Sequence, residues 1–212
     1  MQPLAHRWSG ATRRWLGAGA RTLVLAIALA LATAPAYSDP SDFSDEPDLA
    51  MTVQYPLLLK ILQFDRNLTA RAGQEVVIGV VYQGRFRASA RACDEMHKAA
   101  QAAEAERIGD RRITIVEVDL ERVNLKDALD SLKVDVVYVA PLRATNIKDI
   151  TEITRQLHIT TVTGTEEYVH EGLAVGLGVW QEKPRVFVNL NASRAEGADF
   201  SSGLLSLAQV VK

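Results

Sequence analysis

Residues 134–140 read Val-Asp-Val-Val-Tyr-Val-Ala, with Lys133 before them and Pro141 behind. The run is short, rich in β-branched residues and almost entirely apolar. That pattern fits a strand buried on both faces, as in the middle of a parallel sheet. A buried helix could be this apolar, but the proline stops the run at strand length.

Working outward, strand-like and helix-like pieces alternate. Residues 74–82 and 113–118 are strands dominated by valine and isoleucine. Residues 86–108 place Ala92, Cys93, Met96, Ala99 and Ala103 on one helical stripe, with Gly109 as the stop. Residues 125–132 form a short helix with Asn124 as its N-cap. Downstream come a helix over 146–157 and a strand over 159–162. Strands alternating with helices imply a parallel sheet covered on both faces, and right-handed crossovers leave few topologies.

The last fifty residues break the alternation. Residues 173–180 and 185–190 are two strands joined through 181–184, a hairpin that closes one edge of the sheet. Asn191 is expected to cap a short helix reaching Glu196, and residues 201–211 a final helix. The expected fold class is therefore α/β: three layers, a mostly parallel sheet with helices on both faces, and a C-terminal antiparallel hairpin at one edge.

The N-terminus reads differently. Residues 1–36 have the form of a signal peptide: a basic start, an apolar run from Leu23 to Leu31, and Ala34 and Ala36 at the positions a leader peptidase reads. The run is shorter than the ~20 residues that span a membrane. Arg13 and Arg14 partly match a twin-arginine signal, and the strongly apolar run favours general secretion. Cleavage after Ala36 would deliver the chain to the periplasm, with no stable membrane insertion afterwards. Residues 37–49 are proline-containing and acidic, a flexible linker. The domain is expected over 50–212.

A leading helix follows, with Met51, Tyr55, Leu58 and Leu62 on one stripe and Pro56 in the first turn of its firm part. The stripe either packs on the sheet or serves a partner or a second copy of the chain. On the second reading Tyr55, Leu58 and Leu62 form a partner or homodimer surface.

Hydrophobic residues make up 48% of the chain, enough for a real core in one domain. Four of the 24 basic residues lie in the leader, leaving 20 against 26 acids and a net charge of −6. That balance argues against nucleic acid as a partner. Cys93 is the single cysteine, so no disulfide forms within the chain.

No Walker loop, nucleophile elbow or HExxH occurs in the sequence. Gly172, Gly176 and Gly178 do not make a dinucleotide fingerprint and fit close backbone approach instead. Glu167 and His170 supply one E-x-x-H unit, where a di-iron site needs two. No catalytic residue, cofactor or metal ligand is assigned. The fold points to one place for a ligand: beyond the C-terminal strand ends, where helix N-termini present free N–H groups. Gln83, Arg143, Thr145, Thr163 and Thr165 would line that rim.

Residues 187–192 read Phe-Val-Asn-Leu-Asn-Ala, and residues 198–208 Ala-Asp-Phe-Ser-Ser-Gly-Leu-Leu-Ser-Leu-Ala. This ending resembles that of the YfiR family, also called DUF4154. The resemblance covers roughly Met51 to Val211. It implies a periplasmic regulator, without catalytic residues, that represses or modulates a membrane-bound diguanylate cyclase or sensor by contact. Cyclic-di-GMP output and biofilm formation would be its targets. Characterised members sense redox state through paired cysteines, which Cys93 alone does not allow. The alternative is a single-lobe periplasmic solute-binding domain, because residues 134–178 resemble half of a transporter-type binding protein.

Overall fold

The computed structural model describes residues 49–103 and 107–211. The expected signal peptide and all but the last residue of the expected linker lie outside them. Leu49, at the linker's end, is buried.

The elements, in chain order, are α1 (Met51–Leu62), α2 (Leu68–Arg71), β1 (Glu75–Tyr82), α3 (Arg87–Ala102), β2 (Arg107–Ile108), β3 (Arg111–Asp119), α4 (Leu125–Ser131) and β4 (Val136–Val139). They continue with α5 (Ile147–Leu157), β5 (Thr160–Thr163), α6 (Glu166–His170), β6 (Val175–Trp180), β7 (Lys183–Asn189), α7 (Leu190–Ala195), α8 (Ser202–Leu205) and β8 (Gln209–Val211). The eight strands form one sheet, ordered β2-β3-β1-β4-β5-β6-β7-β8. The run β3-β1-β4-β5-β6 is parallel throughout, and β6–β7 is the antiparallel hairpin.

The quoted stretch holds the centre. Val136, Val137, Tyr138 and Val139 of β4 are all fully buried between β1 and β5. Burial of each such valine contributes roughly 1.5–3 kcal/mol relative to an exposed one. The two faces alternate as a pleat requires. Val76, Ile78 and Val80 of β1 face the layer of α1 and α3, while Val77 and Val81 face α4 and α5. Asn124 caps α4 by accepting the Asp127 amide.

The structure corrects several boundaries. Helix α1 starts at Met51 and holds Pro56 in its interior. Burial of Tyr55, Leu58, Leu59 and Leu62 outweighs the one backbone hydrogen bond that Pro56 cannot donate. Helix α3 ends at Ala102, and Ile108 belongs to β2, paired antiparallel with β3. The hairpin connection has two residues rather than four, because Val179 pairs with Pro184 and Trp180 with Lys183. Gln181 and Glu182 both take positive φ, as a tight hairpin turn demands. Pro184 is tolerated because β8 pairs with β7 only from Phe187 onward, which leaves Pro184 in an edge stretch.

Two C-terminal expectations also change. Asn189, not Asn191, caps α7, accepting the Ala192 amide at 3.0 Å. The expected final helix over 201–211 is only the four-residue α8, followed by strand β8 parallel to β7. The hairpin therefore stands one strand in from the edge.

The segment after α7 clasps the start of the domain. Asp65 and Phe200 form an isolated antiparallel bridge, flanked by Arg66 N–H to Asp199 O and Ser201 N–H to Phe64 O, both 3.0 Å. The buried Asp65 carboxylate accepts the Asp199 amide at 2.9 Å and the Arg71 guanidinium at 2.7 Å. Arg71 also donates to the carbonyls of His158 and Glu196 and to the Thr160 hydroxyl. One buried ion pair thus ties α2, β5 and the closing segment together.

Candidate functional site

Strand β1 is followed through α3 by β3 on one side, and β3 through α4 by β4 on the other. The order reverses between β1 and β4. The crevice outside their carboxyl ends is the switch point, where open α/β sheets bind ligands.

Three expected rim residues converge there. Gln83 donates its side-chain amide to the Arg143 carbonyl (3.0 Å) and the Thr145 hydroxyl (3.1 Å). Its side-chain oxygen accepts the Arg143 amide at 2.8 Å. The Arg143 guanidinium stands 4.4 Å from the centre of the Phe86 ring, a cation–π contact. The ends of β1 and β4 are thereby stitched to each other.

The loop after β1 is filled by the chain itself. The amides of Gln83, Gly84 and Arg85 donate to Ser89 Oγ, Asp119 Oδ1 and Glu121 Oε2 at 2.9, 3.1 and 2.8 Å. In phosphate-binding folds such amides meet the ligand. Here two carboxylates take that place, which disfavours an anion. A Cβ on Gly84 would come within 2.7 Å of Asp119 Oδ2, so glycine is what lets the carboxylate approach.

The other two rim residues do not join this group. Thr163 is fully buried and donates to the Val139 carbonyl at 3.0 Å, so it belongs to the interior. Thr165 is half-buried and stands at the start of α6, its amide donating to Thr163 Oγ1. The expected partner or homodimer surface is also corrected. Tyr55, Leu58 and Leu62 are 2%, 0% and 1% exposed, and all three lie in the core beneath α1. Among the described residues, the large apolar side chains that are exposed are Val53 on α1, Val123 and Leu132 beside α4, and three nearer the C-terminus. Leu207, just before the edge strand β8, is 71% exposed, Val210 within β8 is 45% exposed, and Trp180 is 51% exposed at the hairpin tip.

A groove of about 790 Å³ opens at the opposite ends of the strands. Arg71, Arg112, Lys133, Glu75, Asp130 and Asp135 are among the residues that line it, and Lys133 pairs with Asp130 at 3.5 Å. Asp135 accepts the Val77 amide at 2.9 Å, and burial raises its pKa. Glu167 and His170 of the E-x-x-H unit both lie on the short helix α6, where the acid nearest His170 is Glu166 at 3.9 Å. Among the described residues no third ligand joins that pair; the group of three is Cys93, His97 and Glu117. The glycines of β6 act as expected: a Cβ on Gly176 would lie 2.5 Å from Val169 Cγ2.

The arrangement defines a class: an α/β domain with a doubly wound sheet, a self-filled switch point and a C-terminal clasp. Within that class, the YfiR/HmsC-like family model (DUF4154) matches residues 53–209, and the chain belongs to this family. The family is a regulatory one that works in the periplasm. No curated protein sequence matches the chain.

Solved structures are similar in fold. A conserved domain protein from Vibrio cholerae superposes with a TM-score of 0.53 at 15% identity, over 78% of this chain and 61% of that one. A substrate binding protein with adhesive properties from Clostridium difficile gives 0.49 at 18% identity, over 72% and 59%. An ABC domain bound to L-Trp from Streptococcus pneumoniae gives 0.49 at 13%, over 72% and 60%. The chain thus spans about three fifths of each. No described helix is long and apolar enough to cross a membrane.

Proposed function

We propose that the protein is a periplasmic regulator that modulates a membrane-bound diguanylate cyclase or sensor by direct contact, and through it cyclic-di-GMP signalling and biofilm formation. The family match over residues 53–209 carries this reading. The leader-like sequence of residues 1–36 supports export. The partner's contact falls on the edge at β8, where Leu207 and Val210 are exposed and the sheet ends. An open edge with apolar flanks is a surface another chain can pair with or cover.

The test is genetic. Deleting the gene raises cellular cyclic-di-GMP, and restoring the exported chain lowers it again. A Leu207→Asp/Val210→Asp chain, exported and folded, fails to lower it. Unchanged cyclic-di-GMP on deletion would remove this reading.

A further inference from the structure

We propose that Cys93, His97 and Glu117 form a binding site for a divalent transition-metal ion of the zinc type. Cys93 and His97 stand one turn apart on α3, and Glu117 comes from the facing strand β3. Their ligand atoms all lie within 4.8 Å of one another. A thiolate, an imidazole and a carboxylate are the donor types zinc takes, at about 2.0–2.3 Å each.

The detail of the cluster points the same way. His97 Nε2 is buried and lies 3.1 Å from Glu117 Oε1, yet makes no hydrogen bond of acceptable geometry. The two atoms converge without satisfying each other, as ligand atoms around a common centre do. The other Glu117 oxygen accepts the Tyr82 hydroxyl at 3.1 Å. Such an outer hydrogen bond is the usual device that orients a carboxylate ligand. The Glu117 side chain is 52% exposed and that of His97 33%, so a fourth position opens to solvent.

Cys93 is a buried thiol, 2% exposed. Binding the cation displaces the thiol proton to solvent, and the thiolate, neutral imidazole and carboxylate coordinate without any redox change. The ion would pin α3 to β3.

Cobalt(II) is the probe. Cys93 is the single cysteine of the sequence, so a sulfur-to-cobalt charge-transfer band in the unmutated protein has one source. The expected result is that band at one cobalt per chain, visible d–d bands of a four-coordinate site, displacement of both by Zn²⁺, and proton release on binding. Cys93→Ser abolishes the charge-transfer band. His97→Gln and Glu117→Gln, on more exposed side chains, weaken Zn²⁺ binding by more than about 100-fold, since outer partners alone cost about 10–100-fold. His170→Gln on α6 changes nothing. Absence of the band in the folded, reduced, unmutated protein would overturn the proposal, as would equal loss of binding in His170→Gln.

Discussion

Glu196 and Thr161 are joined twice: the Thr161 amide donates to one carboxylate oxygen at 2.8 Å and its hydroxyl to the other at 2.9 Å. The Thr161 hydroxyl in turn accepts the Ala174 amide at 2.8 Å, so one carboxylate at the clasp connects β5 to the entry of β6. Glu196 is fully buried, and burial pushes its pKa from 4.5 up to about 8 against the opposing pull of these hydrogen bonds.

That shift sets a pH dependence. The folded chain holds the Glu196 proton more tightly than the unfolded chain does. The stability this gives is fully present below pH 4.5 and is lost as pH rises through about 8. The slope approaches about 1.4 kcal/mol per pH unit in that window. Denaturant midpoints measured across it should fall in the native protein and stay flatter in Glu196→Gln. Equal slopes in the two proteins would show that another group is responsible.

Asp65→Ala should be far more damaging than its size suggests. It removes the carboxylate that balances the Arg71 guanidinium, leaving only neutral acceptors around that charge, and frees the Asn67 and Asp199 amides from their acceptor. Removing one partner of a buried pair costs about 3–5 kcal/mol. By contrast, removing the exposed Arg66–Asp199 pair, at 3.3 Å, should cost less than about 1 kcal/mol. Urea unfolding of Asp65→Ala and Arg66→Ala separates the two.

Gly176→Ala places a methyl 2.5 Å from Val169 Cγ2, inside a packed cluster with Phe187 and Val211. Overpacking of this kind costs about 1–3 kcal/mol. Val169→Ala should recover part of the loss in a double-mutant cycle. Simple additivity would mean that the clash is relieved some other way.

Tyr138→Phe tests the link between sheet and leading helix. The Tyr138 hydroxyl donates to the Gln54 side-chain oxygen at 2.8 Å, and the Gln54 amide donates to the Leu49 carbonyl. Both side chains are buried. The phenylalanine leaves the Gln54 oxygen unpaired, at about 1–3 kcal/mol. Hydrogen exchange in α1 should quicken more than exchange in α5.

The central strand was legible because β-branched residues crowd residues 134–140 and Pro141 stops them. Alternation implied a mostly parallel sheet covered on both faces, while the strand order itself is set by pairings between distant strands. What local pattern could not reveal was pairing at a distance. Residues 201–211 carry leucines at helical spacing, yet Val210 and Val211 join β7 as a strand, a choice made by the partner at Val188 and Asn189. Asn189 and Asn191 are both competent caps, and only the end of β7 decides between them. The stripe of Tyr55, Leu58 and Leu62 showed which face is apolar but not what covers it; the sheet does. Gln83, Arg143 and Thr145 meet because topology dictates where strand ends come together. Glu117 escaped notice because nothing in the sequence says that β3 lies beside α3.

Contact with a membrane partner is tested most directly by photo-cross-linking in the periplasm, with the cross-linker at Leu207 or Val210 and at Val123 as the comparison site. The expected product joins position 207 or 210 to an inner-membrane protein carrying a diguanylate cyclase or sensor domain, with none from position 123. A folded, exported chain that cross-links to no such protein from either edge position would contradict regulation by contact at this edge.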